Sequence, residues 1–239
     1  MIKEDETVAI GWCDNGLNDG KFTEGIVSAL ITQKQNGTPI HKSIRVQGNQ
    51  IARQRQVLFD HWADEATTDW LLWVDSDIVL NPEALKLLYQ TADADERKIV
   101  SGIYFISKEP EGTLARPFPA AFKNVDEFKI QYLHPLPDNE VHKIDSAGLG
   151  FVIMHKSIIP ILREKYPEKN LFNESDGTGD KFIGEDISFF RKVQECGISV
   201  WTHTSALVKH IKRFSLDMDY YALYWSMEYM KDKLKEKQG

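Results

Sequence analysis

The chain has 239 residues, 42% hydrophobic and 11% aromatic, which is enough to bury a full core and too apolar for a disordered segment. Its 29 basic and 36 acidic residues leave a formal charge of −7, which argues against a duplex nucleic acid partner held by phosphate contacts. No apolar run approaches the roughly 20 residues that a membrane-spanning helix needs. Met1 to Thr7 are charged where a signal peptide is apolar, and Cys13 and Cys196 sit far apart in apolar segments, as reduced core thiols do. A soluble, cytoplasmic protein is expected.

Val8 to Cys13 reads as a short apolar strand that runs into Asp14-Asn15-Gly16, a tight turn with free polar side chains at a sheet edge. Such an edge suits reading of a nucleotide base, and a plain turn explains it equally well. A helix is expected from Thr23 to about Gln35, stopped by Asn36-Gly37, and then a strand from His41 to Val46. From Asn49, a candidate cap, the spacing of Ile51, Ala52, Leu58, Phe59 and Trp62 predicts a second helix with Arg53 and Arg55 in its first turns. Cations there oppose the helix macrodipole, so they call for an anion such as a diphosphate or lie solvated on the surface.

Trp70 to Val74 is an apolar run of strand length that stops at Asp75-Ser76-Asp77. This predicts a buried parallel strand delivering two carboxylates to the carboxyl edge of a sheet, where open α/β sheets bind ligands. Period-two geometry sends both acids to one face, where a hard cation would relieve their repulsion. The plainer reading is an acid in a strand-to-helix turn, because Asn81-Pro82-Glu83 starts a helix to about Ala92. Lys98 to Ile106 is a further strand, and the alternation so far predicts a mainly parallel, Rossmann-like sheet.

Prolines 110, 117, 119, 135 and 137 then break the pattern into loops with short strands at Ala120–Lys123 and Phe128–Leu133, a segment suited to shaping an acceptor pocket. Strands Val141–Ser146 and Phe151–Met154 flank Ala147-Gly148-Leu149-Gly150, where the glycines allow close backbone approach to a ligand, or a bulge. After a helix from Ser157 to Tyr166, the Gly-rich stretch Phe172 to Ile183 reads as an active-site lid. Gly184-Glu185-Asp186 opens a helix that buries Ile187, Phe189, Phe190 and Val193; its two acids alone fit a first turn. Strands Ile198–His203 and Ala206–Ile211 follow, with His203 and His210 as candidate nitrogen ligands. A last helix, Ser215 to about Lys235, carries Met218, Tyr221, Tyr224, Trp225 and Leu234 near one face, for core or partner packing or, less favourably, a membrane surface.

The order of Asp75-Ser76-Asp77, Gly148-Leu149-Gly150, an aromatic Gly-rich loop, Gly184-Glu185-Asp186 and a strand with His210 resembles the GT-A fold glycosyltransferases, including small phage-type members. The resemblance spans roughly Val8 to Ile211. It implies an α/β fold around one mixed, mostly parallel sheet, with a nucleotide-sugar half over 1–107, an acceptor half over 108–214 and a C-terminal helix over 215–239. It also implies a hexosyltransferase that uses Mn²⁺ or Mg²⁺ to move a sugar from a nucleotide-sugar, UDP by family frequency, to a hydroxyl on a glycan, lipid-linked or small-molecule acceptor. Carried over by position, Asp75, Asp77 and His210 hold the metal, with Asp75 also near the ribose. Asp14, Asn15, Arg53, Ser76, Gly148 and Gly150 line the donor. Ala52-Arg53 resembles the family's Ala-Arg-Asn, with Gln54 in place of Asn, and Asp186, with Glu185 beside it, matches the catalytic base. The rival readings are a non-catalytic nucleotide-sugar-binding module and, on Asp75-x-Asp77 alone, a haloacid-dehalogenase-like phosphatase.

Overall fold

A computed structural model describes residues 1–35, 40–108, 116–168, 170–175, 182–212 and 217–236. The chain opens with β1 (Val8–Asp14), α1 (Gly20–Gln35), β2 (Ile40–Gln47) and α2 (Ile51–His61), which runs on as a π-helical turn over Trp62–Ala66. Next come β3 (Trp70–Val74), β4 (Ile78–Val79), α3 (Pro82–Thr91), β5 (Ile99–Ile103), β6 (Phe105–Lys108), β7 (Arg116–Pro119), β8 (Ala121–Asn124) and β9 (Ile130–Tyr132). The remainder is β10 (Val141–Ile144), β11 (Ser146–Ala147), β12 (Phe151–His155), α4 (Ile158–Lys165), α5 (Glu185–Glu195), β13 (Val200–Leu207), β14 (Lys209–His210) and α6 (Met218–Glu236).

Seven strands form one sheet in the order β10-β13-β5-β12-β3-β1-β2. β1, β2, β3, β5 and β13 point one way, while β12 and β10 run against them. This is the mixed, mostly parallel sheet that the resemblance implies. It interleaves strands from both expected halves, since β12 lies between β3 and β5.

Strand periodicity makes two cores. Along β3, Leu71 and Trp73 point to the face covered by α2, α4 and α5, and Trp70, Leu72 and Val74 to the face covered by α1 and α3. All five are buried, and each large side chain contributes roughly 1.5–3 kcal/mol by leaving water. The aromatic residues of α5 dock on this wall. Phe189 stacks on Phe172 with ring centroids 4.6 Å apart and meets Phe59 of α2 at 6.1 Å, while Phe172 meets Trp73 at 5.8 Å. That packing fixes the start of α5 against α2 and the end of β3.

Several expectations change. Asn49 does not cap α2; the cap position is Gln50, with no side-chain hydrogen bond, whereas Asn81 caps α3 by accepting from Glu83 N at 3.0 Å. The expected single strand Lys98–Ile106 breaks at Tyr104, with β5 in the large sheet and β6 paired to β7. The expected break between His203 and Ala206 is absent, because β13 runs through it with an irregularity against β5. Among the described residues, side chains on α6 do not enter the core: Met218, Tyr221, Tyr224 and Trp225 are all exposed. The Asn36-Gly37 stop, Pro110, the side chain of Leu234 and the lysine at 237 lie outside the described residues.

Candidate active site

The carboxyl ends of β1, β2 and β3 meet at a cleft of about 920 Å³, lined by Asp14, Asn15, Gly48, Asn49, Ser76 and Asp77, among others. One wall is built by Gln54 of α2. Its buried amide donates to the carbonyls of Asp14 at 2.9 Å and Val46 at 3.0 Å, so it ties two strand ends to the helix. Gln54 stands where the family pattern has Asn, and here it is part of the frame.

Asp77 and His210 form the most specific pair at this edge. β14 runs antiparallel to β4, with His210 opposite Ile78, and Ile211 N donates to the Asp77 carbonyl at 2.8 Å. Asp77 Oδ2 consequently lies 2.9 Å from His210 Nε2 and 3.4 Å from Lys212 Nζ. Burial pushes the Asp77 carboxyl up, but His210 and Lys212 outweigh it and hold the group below the usual carboxylate range. His210 Nδ1 is 2.8 Å from the Phe105 carbonyl. A carbonyl only accepts, so Nδ1 carries the hydrogen on that side, and Nε2 is the nitrogen that faces Asp77.

Asp75 does not join this pair. Both of its oxygens are 3.1 Å from Nη2 of Arg55, whose Nη1 donates to Glu185 at the start of α5. Period two does not hold past Val74, because a turn in which Ile78 N donates to the Asp75 carbonyl at 2.9 Å separates the two acids. Among the described residues there is no cluster of three or more His, Cys, Asp or Glu arranged to hold a metal. The expected trio of Asp75, Asp77 and His210 is therefore present as a pair, with Asp75 held apart.

Arg55, not the expected Arg53, is the arginine of α2 that reaches these acids. Arg53 is exposed on the outer side of α2, whereas the Arg55 side chain is only 6% exposed. Burial works against its charge, but Asp75, Glu185 and Asp186 outweigh it and keep the guanidinium firmly protonated. Asp186 lies next to this group, and its Oδ1 accepts from Ile187 N at 2.7 Å. Burial raises the Asp186 carboxyl to about 6, with Glu185 and Asp75 adding to the rise and Arg55 opposing it. A carboxylate poised near neutrality at a helix start suits general acid–base work.

The other expected donor contacts have structural partners. Asp14 receives Arg45 Nε at 2.6 Å and Nη2 at 2.7 Å, Gly16 N at 2.7 Å and Trp12 Nε1 at 3.1 Å, and Arg45 holds its carboxyl low. Its side chain is thus committed before any ligand arrives. Asn15 is exposed at the cleft mouth and accepts from Leu17 N at 3.2 Å. Gly148 and Gly150 are buried under Tyr104, and a Cβ on Gly148 would stand 2.0 Å from the Tyr104 hydroxyl. Close approach is thus the reason for these glycines, but to a tyrosine. Tyr104 Oη accepts from Gly150 N at 3.3 Å, and its ring meets His210 edge-on at 5.1 Å. Burial, with Asp75 and Asp186 nearby, raises its hydroxyl well above the usual range. Inside what reads as one unbroken strand, Lys98–Ile106, this residue carried no sequence sign of its role.

His203 is buried, accepts from Ser205 N at 3.2 Å and takes no part in the cleft. The stems of the Phe172–Ile183 stretch are joined, since Ser175 N donates to the Ile183 carbonyl at 3.0 Å; residues 176–181 lie outside the described residues.

The sequence pattern described as "Glycosyl transferase family 2" matches residues 17–158, more than half of the chain. The chain belongs to glycosyl transferase family 2. The matched span includes Arg55, Asp75, Asp77 and Tyr104, while Glu185, Asp186 and His210 lie beyond it. Membership of this family removes the ground for the phosphatase reading. No protein with a curated description matches the chain. Among solved structures, A197 from STIV is 17% identical with a TM-score of 0.49, over 87% of this chain and 86% of that one. GalNAc-T7 with UDP, GalNAc and Mn²⁺ is 12% identical with a TM-score of 0.48, over 88% of this chain and 44% of that one. A glycosyltransferase involved in the glycosylation of the major capsid of PBCV-1 is 14% identical with a TM-score of 0.47, over 87% and 94%. None of these similarities carries residue assignments to this chain. No helix among the described residues is long and apolar enough to cross a membrane.

Proposed function

We propose that this family 2 glycosyltransferase moves a hexose from a nucleotide-sugar, with UDP as the first nucleotide to test, to a hydroxyl acceptor, using a divalent cation held at Asp77 and His210. The observation that carries the proposal is the 2.9 Å separation of Asp77 Oδ2 and His210 Nε2 at the cleft wall. The Asp77 carboxylate oxygen and the His210 imidazole nitrogen are two donors that would hold Mn²⁺ or Mg²⁺ at this edge. His210 has its second nitrogen anchored on the Phe105 carbonyl, as metal-bound imidazoles usually do. When bound, such a cation neutralises charge on a departing nucleoside diphosphate.

Residues of the chain itself account for the remaining roles. The cleft between Asn15, Asn49 and Ser76 receives the nucleotide, and Lys212, beside Asp77, adds positive charge for the diphosphate. Asp75, balanced by Arg55, sits behind the cation site rather than on it, and approaches the ribose only if that pair loosens. Asp186 takes the proton of the acceptor hydroxyl, and its raised carboxyl lets it return that proton to water near neutral pH. Glu185, occupied by Arg55, orients the start of α5.

The test is release of nucleoside diphosphate from a panel of nucleotide-sugars with Mn²⁺ and varied hydroxyl acceptors. Acceptor-dependent release supports transfer. Tight binding of intact donor with no turnover for any acceptor would instead favour the binding-module reading.

A further inference from the structure

Every described side chain of α6 is exposed or half-buried, although the segment from Met218 to Met230 contains only three polar or charged residues besides its tyrosines, Asp219, Ser226 and Glu228. Met218 is 75% exposed, Tyr229 64%, Tyr221 59% and Trp225 55%. At about 100° per residue, Tyr221 and Trp225 project from one side of the helix and Leu223 and Met227 from the other. A helix with this much exposed apolar surface is one that a partner covers.

The ends of the helix say which partner. Asp217 and Asp219 stand at its start, while residues 231–237 carry four lysines against two acids. This order also suits the helix macrodipole, so alone it identifies nothing. Combined with the bare apolar middle, it makes the helix self-complementary. A second copy laid antiparallel sets the acidic start of each helix on the lysine end of the other, twice about one dyad, with the Trp225 region at the centre. A parallel pair would set acid on acid and lysine on lysine. A membrane surface fits less well. An interfacial helix needs one strongly polar side. The stretch 217–239 also has five acids against four lysines, which leaves no net positive charge for anionic lipid.

We propose that α6 is a self-association surface through which two copies of this chain pair antiparallel. The inference is independent of the chemistry assigned to the cleft. The test uses two full-length variants, Asp217→Asn/Asp219→Lys, which keeps the cap at 217 but makes that end basic, and Lys233→Glu/Lys235→Glu, which makes the other end acidic. Sedimentation equilibrium over a concentration series reads their mass, and circular dichroism confirms that both stay folded. The wild type is expected to dimerise, each variant alone to associate at least about tenfold more weakly, and an equal mixture of the two to recover dimer, because opposite ends then match. The proposal is overturned by a wild type that stays monomeric at every concentration, by variants that dimerise as the wild type does, or by a mixture that recovers nothing. It is also overturned if vesicles of phosphatidylserine and phosphatidylcholine bind a monomeric wild type.

Discussion

Arg55 holds both oxygens of Asp75 at 3.1 Å from a single guanidinium nitrogen and turns its other terminal nitrogen to Glu185, so one buried cation joins the end of β3 to the start of α5. The two carboxylates come from elements 110 positions apart (185 − 75), and each is left without its counter-charge if Arg55 is removed. Breaking a buried pair on one side costs about 3–5 kcal/mol, because the remaining charge is stranded. Arg55→Met should therefore lower stability by about that amount in urea unfolding. A loss below about 1 kcal/mol would show the clamp to be dispensable. Arg55→Lys should recover only part of the loss, since one ammonium cannot reproduce the fork.

Asp186 gives two linked expectations. As the proton acceptor it must be ionised, so turnover should fall as pH drops through about 6, and Asp186→Asn should lose on the order of 10²- to 10⁴-fold in turnover. For stability the sign is the reverse of an ordinary paired carboxylate. Its folded-state value lies above the ordinary aspartate value of 3.8, so the folded chain binds more protons between those values, and the cost of burying the charge is complete only above about 6. Asp186→Asn should consequently raise the melting temperature at pH 8, with the gain shrinking as pH falls from about 6 towards 4. A variant with near-normal turnover would move the base elsewhere, with Glu185 first, or point to a retaining route.

Gly148 and Tyr104 should behave as one unit. A methyl at Gly148 would collide with the Tyr104 hydroxyl, so Gly148→Ala should cost roughly 1–3 kcal/mol through overpacking. Tyr104→Phe in the same chain should recover part of that cost, which a double-mutant cycle measures. Strict additivity of the two changes would mean that they do not meet.

What was legible in the sequence is what local pattern encodes. The apolar run Trp70–Val74 ending in acids gave β3 and the cleft edge, Asn81-Pro82 gave the start of α3, and Phe189, Phe190 and Val193 gave the buried side of α5. His210 was favoured over His203 from its place in the family pattern, and the fold brings it to Asp77. What was not legible depends on distant partners. Arg53 and Arg55 lie about 200° apart on α2, with Arg55 on the side of Leu58, Phe59 and Trp62, so the helical period marks Arg55 as the inward one, but not its partners Asp75 and Glu185. Gly148 and Gly150 announced a close approach without saying to what. The spacing of Asp75 and Asp77 suggested a shared face, which the turn after Val74 removes.

The divalent cation proposed at Asp77 and His210 would bind the diphosphate of the donor. Calorimetric titration of UDP, with and without Mn²⁺, tests it on the wild type and on Asp77→Ala, a change at a half-exposed carboxylate that removes no core packing. Mn²⁺ is expected to strengthen UDP binding to the wild type and to have little effect on Asp77→Ala, while both melt as folded proteins. Metal-dependent affinity that survives undiminished in Asp77→Ala would rule out a cation at Asp77.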